Sequence, residues 1–228
     1  MRSIWRTPDA DLIRDAAALS VAAGVIGLSF GAIATASGLA YWVPIAMSLF
    51  IFAGGSQFLA VGLLALGNPL AAVLGGLLIN ARHLPFGLAV GPVIGDKTWT
   101  RLLGSHVLID ENTAFAMAQT DPRRQRQAFW LVGALLFVTW NAGVVLGVVV
   151  GGMVGDPATF GLDAMFPAAL LALVLPSLKD KVTRTAALAG AAIAVLATPV
   201  LPAGLPILAS LLGLLLIPLV QSRQPVTV

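Results

Sequence analysis

A short polar sequence interrupts the second apolar run and combines the residue types from which a membrane-embedded binding site is built. Two adjacent glycines are poor material for a membrane helix, because each costs about 1 kcal/mol relative to alanine. Irregular backbone at membrane depth persists only where it is buried in protein or lines a wet cavity. Interrupted segments of this kind are typical of transporter substrate sites, and a close helix crossing is the alternative explanation. The sequence is Phe52-Ala53-Gly54-Gly55-Ser56-Gln57.

The next apolar run contains a charged side chain, in the sequence Asn80-Ala81-Arg82-His83. A charge at the bilayer centre costs about 2.5–3.5 kcal/mol on insertion scales, so Arg82 needs a compensating partner. A carboxylate of the protein or of a bound substrate would serve, because a guanidinium binds carboxylates through two parallel hydrogen bonds. The alternative is a helix that ends at Leu84 and lets Arg82 reach the lipid headgroups. Asn80 and His83 share a helix face, where they would either bind substrate or join helices.

Asp110 and Glu111 form the only acidic pair away from the obvious loops. Carboxylates within a transporter typically relay protons or bind a coupling ion, so we predict proton coupling for both. One of them could also hold an ammonium group. His106 precedes Asp110 by four residues and would meet it on one face of a continuous helix. The alternative is a surface helix with Asp110 as its N-cap and Glu111 in its first turn.

The composition gives little support to other chemistries. The chain has no cysteine, which excludes disulfides, thiol catalysis and cysteine-ligated metals. Two histidines are too few for a convincing zinc site, and we predict no metal and no cofactor. An intramembrane hydrolase using Ser56 with His83 or His106 would need the base within hydrogen-bond reach, and nothing in the spacing demands it. We therefore predict a protein that is not an enzyme.

The elements that carry these residues must be membrane helices. Of 228 residues, 58% are hydrophobic and 10% are charged, and the mean hydropathy is +0.95. Residues 16–81 contain no charged side chain, and because about 20 apolar residues span a bilayer, this run holds roughly three crossings. We predict an all-α polytopic membrane protein in which 1–228 form a single integral membrane domain. Two similar halves, about 16–119 and 127–221, are a further expectation.

The pattern of apolar runs fits seven or eight transmembrane helices. Two runs should contain broken helices, near 54–55 and near 82–85, where the glycine pair and Pro85 oppose a regular helix. Residues 102–119 decide the number, because they would either cross as a polar-centred helix or lie on the surface as an amphipathic one. Residues 3–15 would form an interfacial helix or cap. The predicted spans are 16–37, 43–66, 69–95, 127–151, 164–178, 185–199 and 203–221.

The Lys and Arg residues occur in short clusters beside apolar runs, which is typical of membrane topology signals and not of a nucleic-acid interface. The clusters at 123–126 and 179–184 are the densest and are expected to be cytoplasmic. Eight spans with both termini inside would leave only Lys97 and Arg101 on the wrong side. Seven spans would leave three N-terminal arginines there, so the charges favour eight.

Small residues predict where helices pack. Gly27 and Gly31 form a small-xxx-small pair suited to a close helix contact. A later span carries glycines every four residues along one helical face. We expect one of these two faces to pack on a partner subunit, and we expect Asn141 to join helices within this chain. The glycine row consists of Gly143, Gly147, Gly151 and Gly155.

Taken in this order, the motifs resemble the AzlC family, the large subunit of the branched-chain amino acid exporters. The resemblance rests on the glycine-rich first span, the Gly-Gly-Ser-Gln interruption, the Asn-Ala-Arg-His sequence and the acidic pair. Gly161-Leu162-Asp163, followed by a span that contains proline, also fits. The resemblance covers most of the chain.

The resemblance implies a secondary exporter for valine, leucine, isoleucine and often methionine, with a small AzlD-type membrane subunit as its partner. We predict a multi-pass antiporter of the bacterial inner membrane, driven by the proton gradient, in a heteromeric complex. A structural subunit whose partner carries the pathway is the alternative. A zwitterion's carboxylate would meet the Gly54-Gly55 amides or Arg82, and its aliphatic tail would lie near Phe52 and Phe58. The predicted substrate-binding residues are Phe52, Gly54, Gly55, Ser56, Gln57, Asn80, Arg82 and His83.

Overall fold

The structure is a computed structural model that describes residues 10–153, 171, 175, 177–201 and 205–218. Within these residues every regular element is a helix, as predicted. Short 3₁₀ helices occur at Ser177–Lys179 and Ser210–Leu216. The predicted span 164–178 lies almost entirely outside the described residues. The α-helices are α1 (Ala10–Ala36), α2 (Trp42–Ile51), α3 (Gly54–Ala65), α4 (Pro69–Asn80), α5 (His83–Ile94), α6 (Thr98–His106), α7 (Asp110–Met117), α8 (Pro122–Met153), α9 (Lys181–Ala197) and α10 (Leu205–Ala209).

Two helices of the described part, α1 and α8, are each long and apolar enough to cross a bilayer, and α4 with α5 could form a third, bent crossing. Both long helices agree with predicted spans, although each begins earlier than expected. Residues 10–15 continue α1, so they are not part of a separate interfacial helix. The described residues do not confirm the predicted seven or eight spans.

Glycines allow α1 and α8 to run side by side with their backbones in contact. A Cβ atom added at Gly27 would lie 2.7 Å from the carbonyl oxygen of Trp140, and one at Gly147 would overlap the carbonyl oxygen of Leu28. The contacting residue numbers rise together along both helices, so α1 and α8 are parallel. Such close approach is what small-xxx-small faces permit.

The expectation that a glycine face packs on a partner subunit is wrong for both faces. Gly143, Gly147 and Gly151 meet the backbone of α1, and Gly27 and Gly31 meet the backbone of α8. The two faces cover each other inside this chain. Gly155 lies outside the described residues.

The helix α2 packs along α8 in the opposite direction. The hydroxyl of Ser48 donates to Oδ1 of Asn141 at 2.7 Å, and the Phe52 and Phe137 rings meet edge to face with centroids 5.1 Å apart. Nδ2 of Asn141 donates to the Phe137 carbonyl at 2.8 Å. The predicted role of Asn141 in joining helices is confirmed.

The first predicted break is confirmed, and it lies just before the glycine pair. The helix α2 ends at Ile51, and α3 begins at Gly54. Phe52 and Ala53 leave the helical conformation. Gly54 and Gly55 therefore form the first turn of α3, where the missing side chains let neighbouring groups approach the backbone.

The second predicted break is also confirmed. The helix α4 ends at Asn80, α5 begins at His83, and the two axes differ by 41°. Pro85 lies in the first turn of α5, where a missing N–H costs no intrahelical hydrogen bond. The kink leaves Ala81 and Arg82 at the corner between the two helices.

The expectation of one helix over 102–119 is wrong, because the segment folds as two short antiparallel helices that we call the α6–α7 hairpin. The helix α6 returns along α5, with Nε of Arg101 donating to the Gly95 carbonyl at 3.2 Å. The helix α7 returns along α8, and Nε2 of Gln125 donates to the Gln119 carbonyl at 2.9 Å. Gly95 also lies against the side chain of Arg126, so both outer ends of the hairpin lie at the beginning of α8.

Asn112 shapes the turn of the α6–α7 hairpin. Its side chain is fully buried; Oδ1 accepts from the Ile109 backbone N–H at 3.0 Å, and Nδ2 donates to the Val107 carbonyl at 2.9 Å. These two bonds satisfy backbone groups that the interruption would otherwise leave unpaired.

The helix α6 stops at His106. The expected meeting of His106 and Asp110 on one helix face therefore does not occur.

Candidate functional site

Arg82 and Asp110 form an ion pair where the α4–α5 corner meets the α6–α7 hairpin. Nη1 of Arg82 lies 3.3 Å from Oδ2 of Asp110. The two side chains are 34% and 23% exposed, so the pair is neither sealed in the core nor free at the surface. The compensating partner that the sequence demanded for Arg82 is therefore a carboxylate of the same chain, 28 residues further on.

The beginning of α3 faces this ion pair. A Cβ atom added at Gly55 would lie 3.8 Å from Nη2 of Arg82, and one at Gly54 would lie 2.6 Å from the indole ring of Trp140. The first intrahelical bond of α3 is donated by Gln57 to Ala53, so the earlier N–H groups have no partner within the helix. Free N–H groups and the positive end of a helix together favour an anion.

Several buried polar atoms among the described residues have no hydrogen-bond partner, and they belong to elements that meet here. Gln57 is fully buried, yet neither atom of its amide is hydrogen-bonded. The others are Oδ1 of Asn80, Nε of Arg82 and Nε1 of Trp140. Buried polar groups are almost always paired in native proteins. This concentration of unpaired donors and acceptors is what a polar ligand would satisfy.

Ser56 and His83 make local hydrogen bonds. The Ser56 hydroxyl donates to the Ala53 carbonyl at 2.9 Å, which satisfies a backbone group at the α2–α3 break. Nδ1 of His83 lies 3.0 Å from the Asn80 carbonyl oxygen, and the His106 ring packs edge to face on Phe137. This geometry gives no support to a serine nucleophile activated by either histidine.

The acidic pair opens α7. Ile109 is the N-cap, Asp110 is the first residue of the helix and Glu111 is the second. The alternative with Asp110 as N-cap is therefore wrong, whereas Glu111 does lie in the first turn. Asp110 and Glu111 are half-buried. Both carboxylates lie in the first turn of this short helix.

Three residues of the site region were not among the predicted site residues. Trp140 contacts Gly54, Phe137 contacts both the α2–α3 break and the α6–α7 hairpin, and Asn112 holds the hairpin turn. The signal for Asn112 was present, because an amide directly after an acidic pair in an apolar run needs partners. Aromatic residues in a membrane helix carry no such signal.

Three helix interruptions, an ion pair and unpaired polar groups converge within an apolar helical protein. This combination defines a membrane protein with a buried polar site of the kind that secondary transporters build from discontinuous helices. The family model described as "AzlC protein" matches residues 18–154, and the chain belongs to this family. The matched region extends from α1 to α8 and contains every predicted site residue.

The chain is similar to several curated proteins. It is 27% identical over 173 residues to the "Branched-chain amino acid transport protein AzlC" of Bacillus subtilis, covering 75% of this chain and 68% of that protein. It is 30% identical over 183 residues to the "Inner membrane protein YgaZ" of Escherichia coli, covering 73% and 72%. An uncharacterized membrane protein of Helicobacter pylori strain J99 is 28% identical over 177 residues, covering 75% and 76%. No solved structure matches the chain. The family predicted from the motifs is confirmed.

Proposed function

We propose that this protein is the large subunit of a secondary exporter of branched-chain amino acids, with valine, leucine, isoleucine and methionine as substrates. The observation that carries the proposal is the group of buried, unpaired polar atoms beside the Arg82–Asp110 pair. A membrane-embedded site of this kind accepts a small zwitterion. The name of the Bacillus subtilis relative, a branched-chain amino acid transport protein, agrees with this substrate class.

The site offers a complement to each part of such a substrate. The carboxylate meets the N–H groups of Gly54 and Gly55 or the guanidinium of Arg82. Backbone carbonyls at the ends of α2 and α4, or an acidic side chain, accept from the ammonium group. The aliphatic tail lies near Phe52 and Phe58, which are both buried. Opposed half-helix ends thus supply charge complementarity at membrane depth.

We further propose that export is coupled to proton entry, with Asp110 or Glu111 carrying the proton, and that the active form is a complex with a small AzlD-type subunit in the bacterial inner membrane. Carboxylates placed within transporters are the usual proton relays. A purely structural role for this chain would leave the unpaired amide of Gln57 without an explanation.

Efflux assays with and without the gene of the small AzlD-type subunit test this function. Cells lacking their own branched-chain exporters are loaded with a leucine-containing dipeptide, and leucine release is followed. We expect rapid release only when both genes are expressed, and loss of release when an uncoupler collapses the proton gradient. Equal leucine retention in cells with both genes and with neither would contradict the proposal.

The geometry also suggests a specific topology. The legs of the α6–α7 hairpin have 9 and 8 residues, so each is about 12–14 Å long, less than half of the roughly 30 Å hydrocarbon core. A Cβ atom at Gly95 would lie 2.6 Å from Nη2 of Arg126, which places the start of α6 beside the start of α8. We propose that this hairpin enters and leaves by the cytoplasmic face without crossing.

The segment formed by α2 and α3 is proposed as a second half-crossing, from the opposite face. Tyr41 lies close to Gly152 near the end of α8, and α2 descends from there to Phe137. The helix α3 is antiparallel to α4, since Gly55 is close to Arg82 and Gly75 to Leu59. Because α4 continues into α5 with a bend of only 41°, α3 returns to the face from which α2 came.

This topology agrees with the positive-inside rule throughout. Lys97 and Arg101 lie on the same side as the cluster at 123–126, and α1, being parallel to α8, begins on that side too. With full crossings at α1, α4–α5, α8 and the three predicted spans that follow α8, the cluster at 179–184 is also cytoplasmic. The lysines and arginines that violated the rule in the seven-span and eight-span arrangements no longer do so.

Cysteine labelling tests the topology, and the absence of native cysteine gives a clean background. We expect Leu66→Cys to react with an impermeant thiol reagent applied outside and Thr98→Cys to be protected. Eight uninterrupted spans predict the reverse for both positions. Ser37→Cys should be labelled and Arg123→Cys protected in either case, so these variants serve as controls.

A further inference from the structure

We propose that a zwitterion replaces the Arg82–Asp110 ion pair when it binds: its carboxylate takes Arg82 and its ammonium group takes Asp110. The inference rests on the proposed function and specifies how the site selects its substrate. In the substrate-free protein the two side chains neutralise each other. In the loaded protein each is paired with the opposite charge of the substrate.

The geometry of the pair favours exchange over a permanent contact. The protein contact is a single one of 3.3 Å, longer than the roughly 2.7–2.9 Å of strong charge-assisted hydrogen bonds. Nε of Arg82 has no hydrogen-bond partner, and Nη2 faces Gly55. The guanidinium therefore retains donors for a second carboxylate.

Each half of the pair lies beside groups that suit one end of a zwitterion. Arg82 is next to the N-terminal turn of α3, whose free N–H groups favour an anion. The buried Oδ1 of Asn80 has no donor, and Asn80 lies on the same corner as Arg82, so it can accept from an ammonium group held by Asp110. The unpaired atoms of Arg82 and Asn80 thus gain hydrogen-bond partners when the zwitterion binds.

Selectivity follows from the balance of charges. The pair carries no net charge, so a substrate with one carboxylate and one ammonium leaves neither Arg82 nor Asp110 unpaired. A carboxylate without an ammonium group would leave Asp110 without an opposite charge. An amine without a carboxylate would leave Arg82 without one. The two side chains are only 34% and 23% exposed, so water compensates a charge without a partner only in part, and binding of such an analogue is weakened. The site therefore rejects both analogues even when their aliphatic skeleton is that of leucine.

Ligand-induced stabilisation of the purified protein, co-expressed with the proposed AzlD-type subunit, tests the exchange. The ligands are L-leucine, ketoisocaproate, which lacks the ammonium group, and isoamylamine, which lacks the carboxylate. We expect the wild type to be stabilised by leucine alone. In Asp110→Asn, the affinity for ketoisocaproate should rise at least about tenfold and that for leucine should fall similarly, a change of about 1.4 kcal/mol each. In Arg82→Gln, the affinity for isoamylamine should rise instead.

Asp96→Asn removes an exposed carboxylate from the α5–α6 turn and should leave all three affinities unchanged. If a single variant does not fold, the double variant Arg82→Gln with Asp110→Asn strands no charge, and it should lose the preference for leucine over both analogues. The exchange is overturned if leucine binds wild type and Asp110→Asn equally while ketoisocaproate binds neither. Failure of the wild type to bind and export leucine would instead remove the proposed function itself.

Discussion

Replacing Arg82 by alanine is expected to reduce leucine export by about 10- to 100-fold, because hydrogen bonds to a charged group contribute about 1.5–3 kcal/mol. The variant loses the guanidinium that faces both Asp110 and the first turn of α3. Expression should stay near that of the wild type, since the pair is partly exposed and its loss is screened by water. Export normalised to protein in the membrane is the measurement.

Two further variants separate the geometry of Arg82 from its charge. Arg82→Lys should rescue export poorly, because an ammonium is a point charge and cannot bind a carboxylate through two parallel bonds. Arg123→Ala removes an arginine that is exposed at the beginning of α8 and should export normally. Full efflux by Arg82→Ala would contradict the site.

Replacing Gly147 by leucine is expected to prevent folding of most of the protein. Even a Cβ atom at this position overlaps the carbonyl oxygen of Leu28, and backbone atoms cannot move aside as a flexible side chain can. Overpacking of a well-packed interior typically costs about 1–3 kcal/mol, and a leucine between two helix backbones lies at or above the upper end. Size-exclusion profiles and membrane abundance measure the loss.

Gly62→Leu provides the matched control for Gly147→Leu. Gly62 is also a helical glycine, but a Cβ atom there meets nothing within 4 Å, and the residue is exposed. A leucine at Gly62 should therefore be tolerated. If the two variants accumulate equally, the close contact between α1 and α8 is not essential for folding.

The sequence predicted the two breaks whose causes are local. A glycine pair and a proline oppose a regular helix wherever they occur, so the interruptions before Gly54 and at Arg82 could be found without tertiary information. The need of Arg82 for a partner was equally visible. The identity of that partner was not, because Asp110 and the substrate carboxylate satisfy the same requirement.

The break at 107–109 could not be predicted, because its cause is tertiary. The run Val107-Leu108-Ile109 contains neither glycine nor proline, and it would be compatible with a continuous helix. What holds the turn is Asn112, which bonds to the Val107 carbonyl and also reaches the Phe129 carbonyl on α8 at 3.5 Å. Such contacts override local propensity and become visible only in the fold.

The partner of the glycine row was missed for a related reason. A row of small residues predicts a close helix contact, but it does not indicate which helix makes that contact. The sequence offered Gly27 and Gly31 as a second small-residue face, and pairing the two faces with each other would have removed the need for an outside partner. Packing the two glycine faces against each other buries both within this chain and requires no second subunit.

The parallel contact of α1 and α8 also determines the order in which the protein can be assembled during synthesis. Gly27 and Trp140 are separated by more than one hundred residues of chain, and at about 5–20 residues per second the ribosome needs roughly 6–23 s to make them. Until α8 leaves the translocon, the glycine face of α1 has no partner, and neither α2 nor α7 has the helix on which it packs. We therefore expect a nascent chain that stops before residue 122 to be degraded by membrane quality control.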